Sequence, residues 1–312
     1  MGGVTRAVSE VSAVVPTLGR SPWLVSCLEA LRRDGGERIE ILVVDQGESA
    51  VDLPAGLADR VLRPGRNLGF AAGTNLGIAE SSAALVATVN DDALVAPGWL
   101  AALTAALLDD PRLAAVQGVN LQMDDSARAD GCGIAWNRWW QAVQIGHGRP
   151  APEAGEAPCE VFGVSATVAL FRRAALCAVA PDGAVFDPRL HSYYEDVELA
   201  GRLRAAGWGA RLVPAARACH AGSATGSTMS RERWRLIYGN RWLAAARLLG
   251  RSFWPRVPRM LLRDLLDLRG AGAGGRAAGI AAGWGRALGA LPAFAHLGPP
   301  AVPVCEIRRL FR

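Results

Sequence analysis

The sequence predicts an α/β fold built on a mostly parallel sheet with helices on both faces. Two segments, Val11–Pro16 and Ile39–Val44, are short and almost wholly apolar, and a helix-length stretch lies between them. Apolar residues on both sides of a strand are typical of a parallel sheet that helices cover on both faces. A helical crossover is the connection that parallel neighbours require.

The first connection carries its own start and stop signals. Ser21 is a favourable N-cap, Pro22 suits the first turn, and Gly35-Gly36 is expected to end the helix after Arg33. The alternation of helix and strand then continues along the chain. In order, we predict a glycine-rich turn and helix over 66–81, a strand over 85–89, a helix over 97–109, a strand over 114–119, a strand over 161–171, a helix over 195–206, and a strand over 210–213 that Pro214 ends.

Two stretches depart from this alternation. Residues 120–160 hold three tryptophans and a Pro/Gly-rich run, and we predict a loop region of the kind that carries binding residues. After Ser230 the pattern changes to helices in which Trp, Leu and Arg are interleaved. We therefore predict a main α/β domain over 1–230 and a helical C-terminal extension over 231–312.

The charge of the chain is unevenly distributed. Every basic residue is an arginine, and the net charge is +5. Residues 231–312 carry +11, which leaves −6 on the first 230 residues. A basic tail on an acidic body suggests that the tail contacts an anionic surface such as lipid headgroups, although a solvated helical face or packing against the body stays open. The acidic body argues against nucleic acid as a partner.

Cysteine usage and hydropathy indicate a cytoplasmic protein. The six cysteines lie far apart without a CxxC pair, which disfavours a zinc knuckle and a disulfide framework. The first ten residues lack the apolar core of a signal peptide, and no segment has the ~18 uninterrupted apolar residues of a membrane span. The composition of Trp234–Leu268 is typical of an amphipathic helix on an anionic membrane, so we also expect peripheral association with the inner face of the cell membrane.

Polar residues follow three of the predicted strands. In parallel sheets, ligands bind at the carboxyl ends of the strands, which makes 16–20 and 45–47 candidate site segments. Asn90-Asp91-Asp92 follows a third strand. Adjacent carboxylates repel each other unless they are neutralised, and Mg²⁺ does this while also taking phosphate oxygens. The alternative is an Asx turn, in which these side chains satisfy loop amides.

Two later segments add acids and a histidine. Glu195, Asp196 and Glu198 open a predicted helix directly after two tyrosines. Complementation of the helix dipole explains one or two acids in a first turn, whereas aromatic rings beside a carboxylate favour the raised pKa of a general base. His220 is either a structural residue or a ligand that would suit Mn²⁺ as well as Mg²⁺.

The order of these motifs resembles glycosyltransferase family 2, in the subgroup described as rhamnosyltransferase-like. The resemblance covers roughly residues 11–245 and includes Tyr238 and Asn240-Arg241. The segments that carry it are VSAVVPTLGR, ILVVDQGES, RNLGFAAGTNLGI, VNDD followed by PGWL, FDPRLHSYYEDVELAGRLRAAGW, and VP followed by CH. Six motifs in the right order are far more specific than any one of them.

The resemblance implies a GT-A fold and an inverting transfer from a nucleotide-diphosphate sugar with Mg²⁺ or Mn²⁺. By position, Asp92 and His220 would hold the metal. Asp196 would be the general base, with Glu195 as its orienting or acceptor-binding partner. The nucleotide and donor residues would be Pro16, Thr17, Asp45, which accepts hydrogen bonds from the base or ribose, Asn67, Gly69, Gly73, Asn75, Asn90 and Asp91.

The sequence departs from the family pattern at three places. Asp45 is followed by Gln46-Gly47 where Asn-Gly-Ser is frequent, Thr74 stands where Asn is common, and the metal triplet is Asn-Asp-Asp instead of Asp-x-Asp. The first change affects the nucleobase contacts, and the last removes one negative charge from the metal site.

The resemblance leaves the substrates open. dTDP-rhamnose is the first donor suggested by the subgroup, with UDP- or GDP-hexoses next, and the acceptor is a hydroxyl of a glycan, a lipid-linked carrier or a small natural product. A catalytically inactive scaffold and a sugar nucleotidyltransferase are the alternatives. The latter would need a basic, glycine-rich loop after the first strand, which PTLGRSP does not provide. The oligomeric state is also open, and a homo-oligomer is one outcome.

Overall fold

The computed structural model describes residues 9–222, 230–269, 275–296 and 298–311. Most of the N-terminal segment that was examined for a signal peptide lies outside this range, as do Ser223 and Thr225 after His220. Within the described residues, no helix has the length and apolar character needed to span a membrane.

Helices and strands alternate through the first two thirds of the chain. The strands are β1 Val11–Thr17, β2 Ile39–Asp45, β3 Arg60–Leu62, β4 Leu85–Val89, β5 Ala93–Val95, β6 Leu113–Gln122, β7 Ala129–Gly131, β8 Ile134–Trp136, β9 Ala142–Gln144, β10 Cys159–Glu160, β11 Val168–Arg172 and β12 Gly209–His220. The helices are α1 Leu24–Gly35, α2 Gly69–Ala79, α3 Trp99–Asp109, α4 Arg173–Val179, α5 Glu195–Ala205, α6 Arg231–Leu249, α7 Val257–Arg269, α8 Gly275–Phe294 and α9 Val304–Arg309.

The main sheet is mixed but mostly parallel, which confirms the predicted fold class. Its strands follow the order β10-β12-β6-β11-β4-β1-β2-β3, with β5 and β7 paired at its margins. β1 runs parallel to β2 and β4, and β6 runs parallel to β12, whereas β11 is antiparallel to both of its neighbours. Alternate side chains of β1 enter different apolar clusters, Val15 with α1 and Val14 with α2. Both faces of the sheet are therefore covered, as the continuous apolar strands predicted.

Three predicted boundaries were wrong. α1 begins at Leu24 and Ser21 is not its N-cap; its hydroxyl instead donates to the carbonyl of Asp91 at 3.1 Å. The strand predicted over 161–171 begins only at residue 168. β12 continues past Pro214 to His220, because a register shift between Leu212 and Arg217 accommodates the proline that lacks an N–H.

The region over 120–160 is more ordered than the predicted loop. It contains four short strands, and Trp136 and Trp140 are almost fully buried. These two tryptophans share one apolar cluster with Trp242 and Phe253 of the C-terminal extension. The extension therefore packs against the body through aromatic residues of the segment that was predicted to lie on a membrane.

Candidate active site

Two connected clefts open at the carboxyl ends of β1, β2 and β4. The narrower cleft has a volume of about 510 Å³, and the wider one has about 870 Å³. Asn90 and Asp92 line both clefts, so the end of β4 stands where they meet. The narrower cleft is lined by the predicted residues Pro16, Thr17, Asn67, Gly69, Asn90, Asp91 and Asp92. The wider cleft contains the predicted residues Asn90, Asp92, Glu195, Asp196 and His220.

A hydrogen bond between the ends of β1 and β4 shapes the narrower cleft. The Thr17 hydroxyl donates to Oδ2 of Asp91 at 2.5 Å and accepts from the amide of Gly19 at 2.9 Å. Burial raises the pKa of Asp91 to about 6 against the opposing effect of the Thr17 hydrogen bond, and the charge of Asp92 raises it further. Asp91 is thus bound to the wall of the narrower cleft, whereas Asp92 lines the wider cleft as well.

His220 lies between two carboxylates. The pairing of β5 with β12 sets His220 opposite Ala93, one residue after Asp92. As a result, Nε2 of His220 is 3.2 Å from Oδ1 of Asp92, and Nδ1 is 2.8 Å from Oδ2 of Asp130 on β7. Burial opposes protonation of the ring, but the hydrogen bonds to Asp130 and Asp92 outweigh it and raise the pKa of His220 to about 9.

The donor set at Asp92 and His220 fits a divalent cation that also binds a substrate oxygen. Among the described residues, no group of three or more His, Cys, Asp or Glu side chains converges on one point. Mg²⁺ in phosphate-binding sites is nevertheless held by one or two carboxylates together with substrate phosphates. Asp130 is placed as the carboxylate that orients a metal-binding histidine through its second ring nitrogen.

Asp45 lines neither cleft. Its side chain is fully buried, and Oδ2 forms an ion pair with Arg63 at 2.8 Å. The amides of Gly47 and Val51 donate to the same carboxylate at 3.0 and 3.1 Å. Asp45 therefore organises the loop after β2, and its contact with a nucleobase stays a prediction.

The neighbouring Gln46, unlike Asp45, lines the narrower cleft. Its backbone N–H donates to the carbonyl of Thr17 at 2.9 Å, and its side-chain Oε1 accepts from the backbone N–H of Leu68 at 2.9 Å. A Cβ at Gly73 would lie 2.5 Å from the Gln46 side chain, so this glycine is needed for the close approach of α2. Gln46 thus joins the end of β2 to the start of α2.

Asn67, Gly69 and Asn75 have local roles around α2. The Asn67 side chain accepts from the amide of Gly69 at 2.8 Å, which forms an Asx turn beside the cleft. Gly69 has a φ of +80° and is packed under the His191 ring, where a Cβ would lie 2.3 Å from Nδ1. Asn75 bonds both backbone groups of Phe186 and lines neither cleft.

The loop before α5 holds three non-glycine residues in the left-handed region. His191, Tyr193 and Tyr194 have φ values of 64°, 67° and 70°. Residues of this kind persist only where the surrounding structure holds them, and they cluster at functional sites. Here Nδ2 of the buried Asn240 on α6 donates to the carbonyls of Leu190, Ser192 and Tyr193 at 2.7, 3.0 and 2.8 Å. The C-terminal extension therefore holds the loop that precedes Glu195 and Asp196.

Glu195 and Asp196 have different surroundings at the base of the wider cleft. The carboxylate of Asp196 accepts from the amides of Val197 and Ala166 at 2.8 and 3.3 Å, and from the Ser165 hydroxyl. Oε2 of the buried Glu195 has no hydrogen-bond partner among the described residues. Burial, and then the charge of Asp196, raise the pKa of Glu195 well above its ordinary value. Burial also raises the pKa of Asp196, but its hydrogen-bond donors favour the anion. The anion is therefore favoured at Asp196 relative to Glu195, whose unpartnered burial favours the protonated form.

Glu195→Gln is expected to raise the melting temperature of the protein by roughly 2–4 °C near pH 8. Because the folded state holds the Glu195 proton more tightly than the unfolded chain does, stability falls as the pH rises above the ordinary glutamate pKa of 4.5. Glutamine removes this dependence. Thermal unfolding of both proteins between pH 5 and pH 8 measures the difference, which should grow with pH.

Glu198→Gln, on the same helix, is the matched control for this stability measurement. Glu198 forms ion pairs with Arg202 at 2.9 Å and Arg247 at 2.6 Å. The same substitution should therefore lower stability at position 198, because Arg202 loses its carboxylate partner and Arg247 loses one of its two. An equal fall in melting temperature for both variants would show that Glu195 is ionised at neutral pH.

The fold brings together residues that the sequence did not single out. Asp130 and Ser165 contact His220 and Asp196 from distant parts of the chain, and no local pattern marks either one. Arg233 of α6 also lines the wider cleft. Gln46 lies within the candidate segment 45–47, although the sequence assigned it no role of its own.

Comparison with known proteins supports the same assignment. The family model "Glycosyl transferase family 2" matches residues 12–177, just over half of the chain. The uncharacterized protein y4gI of Sinorhizobium fredii is 29% identical over an alignment of 233 residues. The alignment covers 69% of this chain and 25% of that protein. This chain thus spans about a quarter of the length of that relative.

Solved structures of glycosyltransferases share the fold. The mannosyltransferase PcManGT from Pyrobaculum calidifontis, in complex with GDP-Man and Mn²⁺, aligns with a TM-score of 0.55 at 17% identity and covers 91% of this chain and 75% of its own. S. aureus TarS aligns with a TM-score of 0.57 at 16% identity and covers 97% of this chain and 50% of its own. GalNAc-T7 with UDP, GalNAc and Mn²⁺ aligns with a TM-score of 0.51 at 15% identity, over 77% of this chain and 50% of its own. The matched family model places this chain in glycosyl transferase family 2, and the solved structures share its GT-A fold.

Proposed function

We propose that this protein is an inverting, metal-dependent glycosyltransferase whose donor binds in the narrower cleft and whose acceptor binds in the wider one. The observation that carries the proposal is the meeting of the two clefts at Asp92, with the carboxylate pair Glu195-Asp196 in the wider cleft. A leaving diphosphate and an attacking hydroxyl need opposite kinds of stabilisation. This arrangement gives each of them a separate part of one continuous space.

The leaving group is stabilised at the end of β4. Asp92 and His220 would hold Mg²⁺ or Mn²⁺, which supplies positive charge to the departing nucleoside diphosphate. Asn90 and Asp91 support this corner, and Thr17 keeps Asp91 in place through its short hydrogen bond. Pro16, with the loop from Asn67, would border the nucleotide.

The acceptor is activated at the start of α5. Asp196 is the general base, because its hydrogen-bond donors favour the anion, which can take the proton of the attacking hydroxyl. Burial favours the protonated form of Glu195, which can donate a hydrogen bond to the acceptor. Attack by a hydroxyl from the side opposite the diphosphate breaks the anomeric bond to the leaving oxygen and inverts the anomeric carbon.

The donor and acceptor are assigned at the level of chemical class. dTDP-rhamnose is the first donor to test, and UDP- and GDP-hexoses come next because the structural neighbours include complexes with UDP and GDP-Man. The acceptor would be a hydroxyl of a glycan, a lipid-linked carrier or a small molecule. A lipid-linked acceptor would suit a protein at the inner face of a cell membrane. Because Trp242 and Phe253 are buried, contact with that membrane would be made by the outer surfaces of the helices that follow α6.

The test is a panel of dTDP-, UDP- and GDP-sugars with Mn²⁺, Mg²⁺ or EDTA. Turnover or thermal protection by one nucleotide class, lost in EDTA, would support the proposal and name the donor. If no nucleotide binds under any condition, the transferase proposal fails and an inactive scaffold of the same fold replaces it. The configuration of the product, determined by NMR spectroscopy, distinguishes inversion from retention.

Metal affinity is expected to rise with pH, by up to about tenfold per unit between pH 6 and pH 8. The reason is that metal binding requires a neutral imidazole, whereas hydrogen bonds to Asp130 and Asp92 outweigh burial and raise the pKa of His220 to about 9. Calorimetry of Mn²⁺ binding, with whichever nucleoside diphosphate the panel identifies, measures both the affinity and the released proton.

Asp130→Asn is the control for this linkage. It removes one of the two carboxylates that stabilise protonated His220, so the pH dependence of metal binding should become shallower. A wild-type affinity that does not change between pH 6 and pH 8 would show that His220 is not a metal ligand.

A further inference from the structure

Helix α7 has its polar side inside and its apolar side outside. The buried residues of this helix include Asp264 and Asp267. Four of its leucines are exposed: Leu261 by 38%, Leu262 by 50%, Leu265 by 49% and Leu266 by 42%. A surface helix of a globular protein ordinarily shows the reverse arrangement. Something other than water is therefore expected to cover the leucines.

Buried polar contacts fix this orientation. Asp264 is fully buried, pairs with Arg241 and accepts hydrogen bonds from the indole N–H groups of Trp242 and Trp284, each at 2.9 Å. Asp267 accepts from the hydroxyl of Tyr238 at 2.8 Å. A rotation that buried the leucines would break all of these contacts and expose two carboxylates. The outward apolar face is thus a consequence of the fold.

The leucines form one stripe. At 100° per residue they span an arc of about 140° on the helix. Arg259 and Arg263 follow along one edge of this arc, and Arg269 ends the helix. Trp254, which is 47% exposed, lies in the turn just before the helix. An apolar stripe bordered by cations and preceded by an exposed tryptophan is the composition of a helix that lies in the plane of a membrane surface.

We propose that α7 attaches this protein to an anionic lipid bilayer, with the four leucines and Trp254 inserted between the headgroups and Arg259 and Arg269 against lipid phosphates. Both acids of α7 are buried, so its exposed charges are all positive. This favours a bilayer over a second copy of the chain, because a symmetric helix pair would bring these arginines together with no exposed acid on the helix to neutralise them. With 13 residues, α7 is too short to span a bilayer, which leaves an orientation along its surface.

The attachment would orient the wider cleft relative to the membrane. α7 is held by Tyr238, Arg241 and Trp242 of α6. The first turns of α6 place Arg233 and Ile237 in the wall of the wider cleft. Membrane attachment does not require sugar transfer, since the exposed leucines of α7 lie on a different surface from the two clefts.

The test is co-sedimentation of the full chain with vesicles of phosphatidylcholine, alone or with 30% phosphatidylglycerol. We expect binding to the anionic vesicles, weakened at least tenfold in Leu262→Gln/Leu265→Gln and severalfold in Arg259→Gln/Arg269→Gln. The matched controls are Leu108→Gln on α3, where the leucine is 62% exposed, and Arg33→Gln on α1. Both variants should bind vesicles as wild type does. Vesicles with brominated lipids should quench wild-type fluorescence more than that of Trp254→Phe.

Several outcomes would overturn the assignment. Wild-type protein that stays in the supernatant with anionic vesicles, or a double leucine variant that binds as well as wild type, excludes a bilayer contact through α7. A wild-type dimer that the leucine substitutions dissociate, without vesicle binding, would assign the stripe to a second copy. Nucleotide binding by the leucine variant, expected to be unchanged, separates this result from a failure of the active-site proposal.

Discussion

Asp92→Ala is expected to lower sugar transfer by about 100- to 1,000-fold. Asp92 lines both clefts, and its carboxylate lies 3.2 Å from the imidazole of His220. Removing it leaves one protein ligand for a divalent ion at the point where charge develops on the leaving diphosphate. Steady-state transfer with the donor found in the panel measures the loss, and the metal concentration needed for half-maximal rate should rise in parallel.

Asp125→Ala is the matched control for this prediction. Asp125 is an exposed aspartate whose ion pair with Arg128, at 3.1 Å, lies outside both clefts. It should transfer sugar at the wild-type rate. If Asp92→Ala retained wild-type activity and metal dependence, the diphosphate site would have to be sought elsewhere. Equal melting temperatures of Asp92→Ala and wild type would show that the lost activity does not come from unfolding.

Asp196→Asn is expected to lower kcat by about 100- to 10,000-fold while leaving donor binding intact. Asparagine keeps the shape of the side chain but cannot take the proton of the acceptor hydroxyl. In the proposed arrangement the donor lies in the narrower cleft, which Asp196 does not line, so nucleotide affinity should not change. Calorimetric binding of the nucleoside diphosphate and steady-state transfer separate the two effects.

Glu195→Gln tests how the two carboxylates divide the work. If Glu195 holds the shared proton, glutamine retains a donor at that place, and activity should fall much less than in Asp196→Asn. The two variants also differ in stability, since only the glutamate carries an unpartnered buried oxygen. If Glu195→Gln abolished transfer and Asp196→Asn retained most of it, the base and its partner would have to be exchanged.

The C-terminal helices are part of the site rather than an appendage. Asn240 holds the strained loop before α5 through three carbonyls. Arg247 pairs with Glu198 and with Asp187, so α6 is also tied to the two segments on either side of that loop. The boundary predicted at residue 230 separates two sequence patterns, but the loop before α5 is held by contacts between residues on both sides of it.

Patterns of adjacent residues were sufficient for the fold class and for the strand ends that bear Thr17, Asp45 and Asn90-Asp91-Asp92. Continuous apolar runs predict buried parallel strands because helices cover both faces, and the carboxyl ends of such strands share one edge of the sheet. The glycine-rich start of α2 and the acidic start of α5 were visible for the same reason, since a turn or a cap is written in a few neighbouring residues.

Contacts between distant segments were decided only by the tertiary structure. Asp130 reaches His220 across 90 positions of the chain, and nothing in their local sequences links them. Asp45 and Gln46 are adjacent polar residues, yet Asp45 is buried and bonded to Arg63 and to loop amides, whereas Gln46 lines the narrower cleft. α7 has the acids and leucines of an ordinary amphipathic helix, but its acids face inward because they bind buried side chains of α6 and a tryptophan of α8. Sequence periodicity states that a helix has two faces, but which face is buried depends on the partner that the fold places against it.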